Sequence, residues 1–307
     1  MEFLYLLEGI RTPFLDQVFS LITHLGSELV FMALSVVMFW CVNKSQGLYL
    51  LSVGCFGTTV NQFLKITCRV PRPWVRDPNF TIVESARADA TGYSFPSGHT
   101  QNSVCTMTCV FLSTKEKWIR AVAVALILLV PFSRMYVGVH TPQDVLVGAL
   151  TSIVLIFALR KVTLEDCHKG MKMLVAAMIA MALGLLLFVE YYPFPADVDA
   201  HNLQSGVKNA YTMIGCLAGV AVVYVTERKY VDFTTNAVWW AQILKVVLGL
   251  GLVLLVKEGL RAPLEALLPV YPARAVRYFL IVLTAGLLWP MSFSRFARLG
   301  KKVEEIK

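Results

Sequence analysis

Apolar runs close to the roughly 20 residues that cross a bilayer recur along this chain of 307 residues. They restrict it to one kind of fold. Backbone lying in hydrocarbon must satisfy its own N–H and C=O groups, so such runs become helices. Composition agrees, with 57% hydrophobic and 16% charged residues, where a soluble domain has about 25% charged. The expected class is all-α: a polytopic transmembrane helical bundle of about nine spans, at 18–42, 46–66, 97–114, 117–134, 141–160, 172–192, 206–226, 238–259 and 274–292. Residues 1–17, apolar but broken by Arg11 and Pro13, read as an interfacial N-terminal segment. Met1 to Asp16 lacks the basic start of a cleavable signal, so the first span is expected to direct insertion.

Three polar islands interrupt the apolar pattern: Lys65 to Arg72-Pro73, Pro96-Ser97-Gly98-His99, and Ser133-Arg134 through His140 to Asp144. The first closes the second span, the second opens the third, and the last joins the fourth to the fifth. An alternating path therefore places all three on one membrane face. The third span begins Thr100-Gln101-Asn102-Ser103, too polar to face lipid all round, and is expected inside the bundle. The stretch between the first two islands, about 28 residues without an apolar run, is long enough to be a lid or a substrate-selecting loop. The net charge of +8 is scattered through loops as in span-flanking residues, and no cluster of nucleic-acid type appears.

The island residues suit one phosphate group. Lys65, Arg72 and Arg134 supply cations, and arginine binds phosphate oxygens in bidentate fashion. Pro96 suits the first turn of a helix whose free N–H groups accept an anion; Gly98 admits a ligand close to the backbone, and Ser97 adds a hydroxyl donor. His140 and Asp144 stand four apart at a helix start, where the carboxylate can fix the ring's tautomer and leave the other nitrogen to attack. His99, protonated, can serve the leaving oxygen. Taken singly, Thr141 to Asp144 reads as a capping box, Pro-Ser-Gly-His as a turn, and the cations as snorkelling side chains. The capping and catalytic roles of Asp144 are compatible, and separate explanations do not account for the convergence on one face.

These islands resemble the tripartite signature of the type 2 phosphatidic acid phosphatase (PAP2) superfamily. Lys65 is followed after six residues by Arg72-Pro73; Pro96-Ser97-Gly98-His99 comes next; Ser133-Arg134 precedes His140 by five residues, and Asp144 follows after three more. The resemblance implies a metal-independent phosphohistidine mechanism with His140 as nucleophile, Asp144 as its partner and His99 as general acid. It implies phosphate binding by Lys65, Arg72, Ser97, Gly98 and Arg134, and no cofactor. Residues 18–165 then form a PAP2-like catalytic membrane core and 166–307 additional C-terminal transmembrane helices. The implied reaction is hydrolysis of a lipid phosphate of phosphatidate, polyprenyl (di)phosphate or sphingoid-phosphate type, with membrane lipids as surroundings and no nucleic-acid partner. Water and a lipid or sugar acceptor differ only in the shape of the site, so phosphotransfer stands beside hydrolysis. A transporter binding an anion has no need of a paired histidine and aspartate.

Lys and Arg number fifteen on the face opposite the islands and twelve on the island face. This bias favours a cytoplasmic C-terminus and islands on the extracytoplasmic or lumenal side. Outside the signature, Lys245 lies deep in the eighth span, where pairing with Glu28 or Glu190, or snorkelling, is expected, with structural pairing ahead of a functional role. Asp197, Asp199 and His201 read as a solvated loop rather than a metal cluster.

Overall fold

The chain's structure, a computed structural model, describes residues 1–164 and 168–299. The domain boundary expected between 165 and 166, Cys167, and the basic residues Lys301, Lys302 and Lys307 lie outside the described residues. Described residues form helices and no strand: α1 (Glu2–Gly9), α2 (Pro13–His24), α3 (Glu28–Val37, extended by a π-helical turn, Met38–Val42), α4 (Lys44–Cys68), α5 (Pro73–Arg76), α6 (Gly98–Ser113), α7 (Lys117–Tyr136), α8 (Pro142–Leu164), α9 (His168–Tyr191), α10 (Ala200–Thr226), α11 (Trp239–Gly259), α12 (Arg261–Leu267), α13 (Val270–Leu283) and α14 (Phe293–Arg298).

The protein is a multi-pass integral membrane protein. Among the described residues, 6 helical stretches are long and apolar enough to cross a membrane, or 7 if α2 and α3, bent by 46°, count as one span. This is fewer than the nine expected, for a physical reason. Hydropathy counts α4 and α6 as spans by position, but α4 carries Asn61, Gln62 and Lys65, and α6 has only 16 residues with a polar first turn. Thr100, Gln101, Ser103 and Thr106 of α6 are all buried, as expected for a helix enclosed by others. Its side chains find partners there: Asn61 Nδ2 donates to Gln101 Oε1 at 3.0 Å, and Ser103 Oγ to Leu126 O at 3.2 Å.

The chain divides into two compact units. The first comprises Met1–Leu34, Ser52–Lys161 and Leu187–Val207, and it contains every island. In it the stretch between α4 and α6 is pinned rather than free. Leu4 of α1 packs with Phe80 and Ile82, Tyr5 Oη donates to Asp77 Oδ2 at 2.7 Å, and Arg11 donates to Thr81 O at 2.8 Å and to Tyr136 O at 3.0 Å. Glu8 accepts from Thr81 N at 2.9 Å. Thr12 caps α2 by accepting from Leu15 N, and Pro13 fills the first turn, where no amide hydrogen is needed. Phe19 of α2 packs tilted against Tyr136, with ring centroids 4.2 Å apart, and Tyr136 Oη donates to Asp16 at 2.9 Å.

The second unit comprises Ser35–Leu51, Val162–Leu186 and Lys208–Lys307. Its aromatic core joins Trp40, Phe233 and Phe293. Lys245 lies in this core, 1% exposed. Carbonyls and a ring hold it rather than the carboxylates expected from sequence: its ammonium donates to Trp40 O at 2.8 Å and Thr235 O at 3.2 Å and lies 4.5 Å from the Phe293 ring centroid. In the first unit, Asp199 accepts from Asn202 N at 2.8 Å at the start of α10. Among the described residues no three His, Cys, Asp or Glu side chains gather in a metal-binding group.

Close approach of α8 to the start of α6 depends on Gly148. A Cβ there would lie 2.7 Å from Ser97 O, a backbone atom that cannot swing aside. Gly148→Ala is expected to destabilise the protein by about 1–3 kcal/mol, as overpacking does, read as a lower unfolding temperature in detergent. An unchanged temperature would mean that the two helices can separate freely.

Candidate active site

The start of α8 organises the site. Thr141 Oγ1 accepts from Asp144 N at 3.4 Å while Asp144 Oδ2 accepts from Thr141 N at 2.8 Å, a reciprocal cap in which Asp takes the usual Glu position. The same oxygen lies 3.5 Å from His140 Nδ1. Capping and contact with the ring thus coexist, as the spacing suggested. His140 is presented by a reversal at the end of α7: Gly138 adopts φ +84, a conformation open to glycine, and both Val139 N and His140 N turn back to Arg134 O, at 3.2 and 3.3 Å. A Cβ on Gly138 would also come 2.8 Å from Arg11 Nη2.

Arg72 spans the opposite side of the ring. It donates to Thr91 O (2.9 Å), Gly92 O (3.1 Å) and Val139 O (3.0 Å), and its Nη1 lies 2.9 Å from His140 Nε2. A guanidinium has no acceptor, so Nε2 accepts here and the ring proton resides on Nδ1, facing Asp144. Burial lowers the Arg72 pKa to about 10. Lys65, also buried, donates to Tyr93 O and Ser94 O from the end of α4. Both cations therefore grip the carbonyls of the 91–94 segment.

The helix expected at Pro-Ser-Gly-His starts one residue later than the sequence implied. Ser97 is its cap and Pro96 precedes it in a cis peptide with Phe95. Ser97 Oγ accepts from Thr100 N and Thr100 Oγ1, at 3.4 and 2.9 Å, leaving its own proton free to donate. Ser97 N donates to Asp144 O at 3.0 Å, which ties this helix start to α8. A Cβ on Gly98 would meet nothing nearer than Asn61 Oδ1 at 3.9 Å, so there is room for a ligand against the backbone. Two further side chains have buried nitrogens that no protein atom meets. Arg134, 0% exposed, gives Nη1 to Thr23 Oγ1 at 2.6 Å while its Nε and Nη2 have no partner. His99 Nε2 likewise has none. The charges of Arg72, Arg134 and Lys65 all bear on His140, as does His99; one neighbourhood holds the islands.

Ser94 escaped the sequence reading. Fully buried, it donates to Asp144 Oδ2 at 2.6 Å and its Oγ lies 3.4 Å from His140 Nδ1. Only its place three residues before Ser97 marks it, and a single serine in a loop carries no pattern. Ser94 N also donates to Val70 O at 2.8 Å, closing the loop back on its beginning.

Helices enclosing two histidines, a carboxylate and three buried cations define a membrane enzyme of phosphate chemistry. Comparison with known proteins specifies the family. Residues 46–166 match the PAP2 superfamily, and residues 211–302 match the transmembrane extension of PAP2 superfamily phosphatases. The chain is 31% identical over 166 residues to phosphatidylglycerophosphatase B of Bacillus subtilis, covering 49% of this chain and 76% of that protein. It is 32% identical over 148 residues to an undecaprenyl-diphosphatase of the same bacterium, covering 47% and 72%. Over 283 residues it is 26% identical to sphingosine-1-phosphate phosphatase 1 of Mus musculus, covering 84% of this chain and 63% of the mouse protein. The chain belongs to the PAP2 superfamily and is a phosphate ester hydrolase. No solved structure is a significant match.

Burial, then the charges of Arg72, Arg134 and Lys65, hold the His140 pKa well below the usual 6.5. Between that depressed value and about 6.5, the unfolded chain binds more protons at this ring than the folded one, so stability falls as pH drops through the window. The unfolding temperature in detergent is expected to decline below about pH 6.5, with a shallower slope in His140→Asn. Equal slopes would assign the decline to other groups.

Proposed function

We propose that this enzyme hydrolyses a lipid phosphate, of phosphatidate, polyprenyl (di)phosphate or sphingoid-phosphate type, without metal and through a phosphohistidine on His140. The supporting observation is the hydrogen-bond pattern of the ring: Nε2 carries the lone pair beside Arg72 while Nδ1 faces Asp144 and Ser94. In this reading Nε2 attacks phosphorus, the ester P–O bond breaks, and His99 gives its proton to the departing oxygen. His99 then takes a proton from water, whose oxygen displaces His140 and releases orthophosphate. Asp144 stabilises the charge that develops on the ring. Arg134, with Nε and Nη2 unmet, binds the phosphate oxygens together with Ser97 and the open N–H groups of Gly98 and His99. Lys65 and Arg72 complete the positive field, and Arg72 turns from His140 to the phosphate as substrate arrives. The names of the three relatives support a lipid phosphate as substrate.

Purified enzyme given phosphatidate, phosphatidylglycerophosphate, undecaprenyl diphosphate and sphingosine phosphate in EDTA is expected to release phosphate from at least one. A denaturing quench at alkaline pH after labelled substrate traps an alkali-stable, acid-labile phosphoenzyme. His140→Ala abolishes both. Ser94→Ala lowers kcat by roughly 10- to 100-fold, the range of one positioned hydrogen bond of about 1.5–3 kcal/mol, with little change in KM. Turnover by His140→Ala, or a strict need for divalent metal, would refute the mechanism; label passed to an added lipid alcohol would make the enzyme a transferase.

The excess of Lys and Arg on the face opposite the islands supports an extracytoplasmic or lumenal site and a cytoplasmic C-terminus. Cys68, exposed and free at the end of α4, reports the island face. With the other cysteines replaced, a membrane-impermeant maleimide is expected to label it in intact cells; labelling only after permeabilisation would reverse the orientation.

A further inference from the structure

The second unit contains a group of cations that the histidine site does not use. Lys208 stands on α10, Arg261 begins α12, and Arg274 and Arg277 lie on the first turns of α13. Arg274, Arg261 and Arg277 are the charges that bear on Lys208, so the four form one neighbourhood. Exposure is graded across it: Lys208 and Arg261 are exposed, Arg274 is half-buried, and Arg277 is buried at 6%. Arg274 Nε donates to Thr212 Oγ1 at 2.6 Å, one turn beyond Lys208 on α10, and its guanidinium lies 5.0 Å from the Tyr278 ring centroid.

Arg277 is the anomaly. Its Nε has no hydrogen-bond partner, and its contact is with the Tyr278 ring at 5.9 Å. Among the described residues, the one carboxylate contact of the whole group is Glu265 with Arg261, at 3.5 Å. A buried guanidinium without a counter-ion is strongly unfavourable, and a like-charged neighbourhood adds to the cost. Such a side chain persists where an anion completes it. Lys208 lies eight residues into α10, about 12 Å along its axis, and Arg277 seven residues into α13, about 10 Å. Both helices belong to stretches able to cross the membrane, so this depth is close to the level of lipid headgroups.

We infer that Lys208, Arg274 and Arg277 form a second anion site, taking a phosphate group presented by an anionic lipid headgroup or as the free ion. Arg277 is its floor, and Lys208 and Arg274 its mouth. Two guanidinium groups supply paired donors to phosphate oxygens and the lysine a point charge. The site shares no residue with the histidine site and stands apart from the catalytic reading.

Native mass spectrometry of the full chain in detergent tests it, with phosphatidylglycerol as probe and phosphatidylcholine as control. The wild-type protein is expected to retain one phosphatidylglycerol and no phosphatidylcholine. Arg277→Gln lowers that retention at least tenfold and Lys208→Gln several-fold, while Arg134→Gln, which weakens the histidine site, keeps it. Displacement of the lipid by millimolar inorganic phosphate assigns the free ion as ligand; retention in phosphate assigns the headgroup. The proposal is overturned if wild-type protein retains neither, if Arg277→Gln and Lys208→Gln both bind as wild type does, or if the loss follows Arg134→Gln instead. Should Arg277→Gln fail to fold, Lys208→Gln, altered at an exposed position, decides alone.

Discussion

One carboxylate oxygen holds the first unit's polar centre in register. Asp144 Oδ2 collects Thr141 N–H from its own helix start, Ser94 Oγ from the loop, and the approach of His140 Nδ1. A buried carboxylate must replace its lost hydration with donors, and here those donors come from separate parts of the chain. The backbone of the same residue accepts from Ser97 N, so the start of α6 is fixed as well. Because every partner is buried, small displacements are costly, and the ring of His140 is held against a preset geometry rather than drawn into one.

Around that centre the cations divide by how well they are satisfied. Arg72 and Lys65 spend their donors on carbonyls of residues 91–94 and Val139, which makes them as much structural clamps as charges. Arg134 retains buried donors, and His99 a buried ring nitrogen, that no protein atom meets. Unmet donors of this kind cost about 1–3 kcal/mol each, and a bound phosphate would remove that cost in the proposed reading. The site thus combines a rigid half, built on the loop, with an unsatisfied half built on α6 and α7.

How much of this was legible in the sequence follows from the range of each interaction. The islands could be read because their residue types are wrong for hydrocarbon and their spacing is local. The buried polar face of α6 could be read for the same reason. Ser94 could not, since its role depends on meeting Asp144 fifty positions away. Nine expected spans are somewhat more than length and apolarity alone pick out, because α4 and α6 carry polar residues that neighbouring protein can satisfy inside the bundle. Lys245 was misjudged because sequence displays carboxylates but not carbonyls: the π-helical turn at Met38–Val42 contains Trp40, whose carbonyl accepts from it.

The latch between α1 and residues 77–82 has a practical side. Tyr5, Glu8 and Arg11 hold by hydrogen bonds a loop with little regular structure of its own, and that loop delivers the carbonyls gripped by Lys65 and Arg72. The first dozen residues are therefore tied to the segment that meets the buried cations although none touches those cations. A change at Tyr5, Glu8 or Arg11 would therefore be felt at the buried centre by way of the loop, without any contact to His140.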